Sequence, residues 1–178
     1  MKVDELIKAR SGIRLDVGCG ANKQGPDWVG MDIQSLPGVD IVHDWNVHPW
    51  PLPDECVLVA MCSHVLEHVP PVVLDNGKTR LLFIEFMNDL WRVLKPDAEL
   101  AIAMPHGSSQ GYLQDPTHCN SCNETTWAYF DPLEPNTAGL LYKFYRPKPW
   151  RIKFLTWAPN GNMEVVLVKR REDPSYNA

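Results

Sequence analysis

The run Leu15-Asp16-Val17-Gly18-Cys19-Gly20 constrains the fold more than any other stretch, because Asp32 answers it twelve residues after Gly20. One apolar run ends in a carboxylate and breaks into two close glycines. A second apolar run, Val29-Gly30-Met31, ends in a second carboxylate. This pattern suits two neighbouring parallel strands with a nucleoside-bearing ligand laid across their carboxyl ends. Glycine lets backbone approach a ligand, and the second acid can accept from both ribose hydroxyls. A dinucleotide fingerprint needs a third glycine at position 23, which is Lys23, so the phosphate cradle of a nicotinamide site is missing. Only eight residues, Ala21 to Trp28, separate the glycines from the second run, and Gly25-Pro26 lies among them. A crossover between parallel strands ordinarily takes roughly a dozen residues or more, generally as a helix. The first crossover helix is therefore expected to be shortened or absent.

The rest of the chain continues the alternation. Met1 to Arg10 reads as a short helix, Ile13 to Val17 and Trp28 to Ile33 as strands, and Val39 to Asp44 as a third, short strand. The proline-rich His48 to Pro53 is a loop, and the apolar Cys56 to Met61 a central strand covered on both faces. Phe83, Met87, Leu90, Trp91 and Leu94 recur at helical spacing between Thr79 and Leu94, with Glu85, Asp89 and Arg92 on the opposite side. Glu99 to Met104 is the next strand. Residues 106–149 are irregular, with one short helix at about Glu124 to Phe130, and Ile152 to Trp157 pairs with Met163 to Lys169 across Pro159-Asn160-Gly161. The sum is a single α/β domain, 1–178, with a mostly parallel sheet and an antiparallel C-terminal hairpin strand at its edge.

Seventeen basic against twenty-two acidic residues give a net charge of −5, which disfavours duplex nucleic acid as a partner. No apolar run approaches a membrane span, and the mixed, charged Met1 to Lys8 does not resemble a secretory signal. Five cysteines, an odd number, fit a reduced, cytoplasmic protein.

Asp16-x-Gly18-x-Gly20 with Asp32 resembles the class I S-adenosylmethionine-dependent methyltransferases, and later motifs agree in order. His43-Asp44-Trp45-Asn46 is similar to the family's adenine-contacting segment, and Cys62 to Val69 resembles its motif after the fourth strand. Leu90 to Pro96 resembles the helix and strand beyond. The resemblance implies a Rossmann-like methyltransferase fold and S-adenosyl-L-methionine as cofactor. It implies contacts from Asp16, Gly18, Cys19, Gly20, Asp32, Ile33, Asp44, Trp45, Ser63 and His64. Within that set Asp16 would orient the methionine ammonium, Asp32 hold the ribose diol, Asp44 with the Trp45 backbone read adenine, and Ser63 or His64 face the methionine end. The acceptor is expected to be a small or sugar-like molecule carrying an oxygen or nitrogen nucleophile.

Residues beyond the fifth strand supply candidate bases for an acceptor that must lose a proton. His106, Asp115 and His118 follow strand ends at the ligand-binding edge. Three other readings compete. The chain can be a non-catalytic binding protein on the same fold. His64-x-x-Glu67-His68 matches an inverted zinc-peptidase pattern, but Pro70-Pro71 truncates its helix. His118-Cys119-x-x-Cys122, near His106 and Asp115, offers thiolates and imidazoles to zinc but has only one Cys pair, so the reading assigns no metal ligand. The aromatic C-terminal half, from Trp127 to Trp157, is expected to be mostly core, with an acceptor pocket or a homodimer face as its other uses.

Overall fold

A computed structural model describes residues 3–134 and 138–172. Helix α1 (Val3–Arg10) leads into strand β1 (Ile13–Val17), followed by β2 (Trp28–Asp32), β3 (Ile41–Val42) and β4 (Val57–Ser63). A 3-10 turn (Leu66–His68) and a small hairpin, β5 (Val73–Asp75) and β6 (Lys78–Arg80), precede α2 (Leu82–Val93) and the long strand β7 (Leu94–Pro105). Short helices α3 (Gln110–Leu113), α4 (Glu124–Ala128) and α5 (Ala138–Tyr145) lead to the closing hairpin of β8 (Trp150–Trp157) and β9 (Asn162–Lys169).

The seven-stranded sheet has the order β3-β2-β1-β4-β7-β9-β8. Neighbours from β3 to β7 pair in parallel, whereas β9 runs antiparallel to both β7 and β8. The antiparallel strand is thus second from the edge rather than the edge itself. A tight turn joins β8 to β9: Ala158 N–H donates to Asn162 O at 2.7 Å and Gly161 takes φ +84°. A turn that short keeps β9 directly beside β8, and β9 pairs with β7 along its other side.

No helix occurs between β1 and β2, or between β2 and β3. The chain bridges β1 to β2 with a backbone-bonded loop, in which Gly18 N–H donates to Met31 O at 2.8 Å. The fully buried residues Leu15, Val17, Met31, Leu100 and Leu167 sit on the sheet, and Phe86, Met87, Leu90 and Val93 of α2 pack with them in one core.

Two expectations shift. The helix begins at Leu82 rather than Thr79, because Asn76 (φ +48°) and Gly77 (φ +75°) turn a hairpin that consumes residues 73–80. An Asn-Gly pair is a strong hairpin signal. Asp89, assigned to the solvent side of α2, is buried at 5% exposure. The proline-rich loop folds over that side of the helix. Asp89 Oδ2 accepts from Trp50 N–H at 2.8 Å and contacts His48 Nδ1 at 2.8 Å, while Oδ1 accepts from Arg92 Nε at 2.7 Å. Burial pushes this carboxyl up, and the bonds from His48, Trp50 and Arg92 more than reverse it, holding it below the usual range.

The 106–149 segment contains α3, α4 and α5, so it is more ordered than its composition implies. Trp127, Phe130, Tyr142 and Trp150 are buried as expected, whereas Phe144, Tyr145 and Trp157 are exposed.

Candidate functional site

The carboxyl ends of β1, β2 and β3 bring together the residues that the glycine pattern nominated. Gly18 and Gly20 both adopt left-handed backbone, at φ +69° and +55°. Their reasons differ. A Cβ on Gly18 would lie 2.1 Å from Val65 Cγ2, whereas a Cβ on Gly20 would meet nothing within 4 Å. Gly18 therefore serves packing, and Gly20 faces open space where a ligand can approach.

Asp32, at 7% exposure, ties the loop to the second strand. Its Oδ2 accepts from Gly20 N–H at 2.9 Å and its Oδ1 from Gln34 N–H at 2.9 Å. Asp16 is buried at the end of β1 and accepts from Gln24 N–H at 2.9 Å through Oδ2. That bond closes the short loop that replaces a crossover helix. Asp40 Oδ2 accepts from Gly30 N–H at 2.8 Å and from Lys23 Nζ at 2.7 Å.

These carboxylates make the loop electronegative. Burial raises the Asp16 carboxyl against the Gln24 N–H bond, and neighbouring Asp32 raises it further. Burial, with Asp16, Asp32 and Asp40 behind it, pushes the Cys19 thiol up to about 11. A cation entering here is stabilised and an anion repelled. Farther along, Asp44 Oδ1 accepts from Asn46 N–H at 2.9 Å, and Asn46 Oδ1 is buried without a partner. Ile33 is 45% exposed immediately after Asp32.

The end of β4 forms the second half of the site. His64 N–H donates to Ala103 O at 2.8 Å, and its backbone is left-handed at φ +56°. Residues other than glycine and asparagine hold such a conformation at a cost, and functional sites are where it concentrates. The His64 side chain is 52% exposed, and its Nδ1 donates to Glu67 Oε1 at 3.1 Å. That bond raises the His64 imidazole despite partial burial. Nε2 accepts from Asn162 Nδ2 at 3.3 Å. Glu67 and Asn162 are the partners that the expected cofactor and catalytic set lacked.

His106 lies just beyond β7 with both ring nitrogens engaged. Its Nδ1 accepts from Ser108 N–H at 3.1 Å, its Nε2 meets Glu124 Oε2 at 3.3 Å, and its ring packs on Trp157 with centroids 3.6 Å apart. His118 Nδ1 donates to Tyr112 O at 2.9 Å, and Asp115 Oδ2 stands 3.8 Å from His118 Nε2. The loop carrying them is anchored on the turn after β4: Cys119 and Asn120 N–H both donate to Glu67 O, at 2.8 and 3.1 Å.

The peptidase pattern does not assemble. Only a three-residue 3-10 turn covers 66–68, so His64 and His68 do not share a helix face, and His64 binds Glu67 instead. The Cys119/Cys122 pair is also split, since Cys119 is exposed while Cys122 is fully buried with its thiol pushed up to about 12 by burial.

Several concavities lie away from this edge. One of 310 Å³, lined by Arg14, Asp27, Trp28 and Leu58, sits at the amino ends of β1, β2 and β4. Open α/β sheets bind ligands at the opposite ends of their strands. Another, of 480 Å³, is apolar and lined by Phe83, Tyr129, Phe130 and Tyr145.

The chain matches no protein-family model, and no curated protein matches its sequence. Its fold is that of solved methyltransferases. A SAM-dependent methyltransferase from Archaeoglobus fulgidus is similar at 17% identity, covering 93% of this chain and 94% of its own, with a TM-score of 0.56. A 16S rRNA (adenine(1408)-N(1))-methyltransferase from Catenulisporales acidiphilia, solved with cosubstrate SAM, is similar at 17% identity over 97% of this chain and 93% of its own, with a TM-score of 0.56. A putative methyltransferase in complex with the Trm112 activator, from Haloferax volcanii, has a TM-score of 0.58 at 10% identity, covering 97% and 90%. The shared architecture is the mostly parallel, Rossmann-like sheet with its antiparallel strand near the C-terminus.

Proposed function

We propose that this chain binds S-adenosylmethionine along the carboxyl ends of β1 to β3 and transfers its methyl group to an oxygen or nitrogen nucleophile of a small-molecule or sugar-like acceptor. The observation that carries the reading is the placing of the Asp16 and Asp32 carboxylates at the strand ends beside the open space at Gly20. Burial first, and then Asp16, Asp32 and Asp40, push the Cys19 thiol up, and Lys23 pairs with Asp40. A sulfonium and an ammonium are attracted there, whereas a pyrophosphate is repelled.

The donor set fits the cofactor. Each Asp32 oxygen takes one backbone N–H and keeps a lone pair for the ribose diol. Asp44, whose Oδ1 holds Asn46 N–H, keeps Oδ2 for an adenine amino group beside the Trp45 backbone. Exposed Ile33 offers the ring an apolar face. Gly20, with no Cβ and open space above it, lets the ligand lie against the backbone. Asp16 orients the ammonium, and Ser63 with His64 faces the methionine end.

When bound, the sulfonium supplies an electrophilic methyl and leaves as a neutral thioether. His64 then acts as base. Glu67 fixes its tautomer by accepting from Nδ1–H, and Nε2 takes the acceptor's proton when the acceptor replaces Asn162 Nδ2, its 3.3 Å partner in the free protein. The buried Glu67 carboxylate stabilises the imidazolium that forms. His106 is buried where His64 is half exposed, and it holds its loop through Ser108 and Glu124.

Incubation with methyl-labelled cofactor and a panel of phenols, sugars and amines tests the reading. Label should pass to at least one acceptor class, and His64→Ala should slow transfer by about 100-fold or more. Tight cofactor binding with no label transferred to any acceptor would instead make the chain a binding protein.

A further inference from the structure

We propose that Glu67, His68 and His118 form a binding site for one divalent transition-metal ion of the zinc type, joining the turn after β4 to the acceptor-side loop. A carboxylate oxygen of Glu67 and one ring nitrogen from each histidine lie within 4.8 Å of one another. Glu67 is fully buried, and its Oε2 has no hydrogen-bond partner. A buried carboxylate oxygen without a donor is costly unless a cation or proton satisfies it.

The histidines are prepared for the same task. Tyr112 O can only accept, so His118 Nδ1 carries the proton in their 2.9 Å bond. Thr117 Oγ1 donates its one hydrogen to Asp115 Oδ1 at 2.7 Å, so it accepts from His68 Nδ1 at 3.1 Å. In both neutral rings Nε2 is therefore left with its lone pair. The two rings stand edge to face with centroids 4.8 Å apart. Ligating histidines typically hold their second nitrogen to a carbonyl or to a polar oxygen in this manner.

Two imidazoles and one carboxylate are a set that zinc accepts with a fourth position open to water. Tetrahedral ligands on bonds of about 2.0–2.2 Å stand roughly 3.4 Å apart, so the three side chains must draw inward by about 1 Å. Asp115 Oδ2, 3.8 Å from His118 Nε2, is a further oxygen beside the site. Glu67 would then serve two partners, with Oε1 on His64 and Oε2 on the ion.

The test uses the full chain without a polyhistidine tag, stripped with a chelator and titrated with Zn²⁺ and, separately, Co²⁺. Its readout is metal content, so it stands or falls apart from the methyl-transfer reading. One equivalent of Zn²⁺ should bind and raise the melting temperature, and Co²⁺ should give the visible absorption of a low-coordinate site. His68→Ala and His118→Ala should each weaken Zn²⁺ binding by at least about 10–100-fold, while Cys119→Ser should leave it unchanged. The wild-type stoichiometry and Co²⁺ spectrum decide the matter even if one histidine variant does not fold. Less than a tenth of an equivalent bound at about 100 µM ion would overturn the proposal. Undiminished binding in both histidine variants, or loss in Cys119→Ser, would overturn it too.

Discussion

The two halves of the sheet's carboxyl edge are built at different ranges. In the half nearest β1 and β2, every polar tie is local: Gly20 to Asp32 spans twelve residues, Gln24 to Asp16 eight and Gln34 to Asp32 two. In the half beyond β4 the local bond from His64 to Glu67, three residues apart, is joined by ties that reach across the chain. Thr117 to His68 spans 49 residues, Asn120 to Leu66 spans 54 and Asn162 to His64 spans 98. The first half is a self-contained loop that can replace a crossover helix with its own backbone bonds. The second joins the local His64–Glu67 pair to partners that meet only once the fold has closed.

Substitutions can break this contrast, and the largest effect is expected at Gly18. Gly18→Ala places a methyl 2.1 Å from Val65 in left-handed backbone, a contact between the two halves. Thermal unfolding should show a loss of about 2–5 kcal/mol from overpacking and strain together. Gly20→Ala, with the same backbone hand and open space, should cost only about 1 kcal/mol while impairing cofactor binding. Similar melting temperatures for the two variants would refute the division of roles.

Asn120→Ala removes the donor to Leu66 O in the buried anchor of the acceptor loop. It should cost about 1–3 kcal/mol of stability and leave cofactor affinity within twofold. A large affinity loss would mean that the halves are not independent.

The smallest effect is a gain. Folding raises the Asp16 carboxyl above its unfolded value, mainly through burial and also through Asp32. The protonated form is thus favoured in the folded state. The associated stability is present below the unfolded value and is lost as pH rises through the folded one. At pH 7 Asp16→Asn should raise the melting temperature by a few degrees, and near pH 3 the advantage should vanish. Unchanged melting at both pH values would remove the electrostatic account of this loop.

The same contrast explains what was legible beforehand. Asp16, Gly18, Gly20 and Asp32 could be read because their geometry is set by spacing within one strand–loop–strand unit. The short loop also announced the missing helix. Glu67 matched a motif, yet its bond to His64 depends on a three-residue 3-10 turn rather than the helix that the motif supposes. Asn162 lies in a hairpin whose turn was evident, but only the insertion of β9 between β7 and β8 brings it to His64. Asp89 was misplaced for a related reason: periodicity assigns a helix face, not the loop that later covers it.

Calorimetric titration of S-adenosylmethionine and its demethylated product into the wild type and Asp32→Ala tests the central claim most directly. The wild type should bind both ligands, and loss of the charged acceptor should weaken both by about 10–100-fold, with the fold intact by circular dichroism. Equal affinities in the two proteins, or no binding heat in the wild type, would contradict the assignment of this edge to the cofactor.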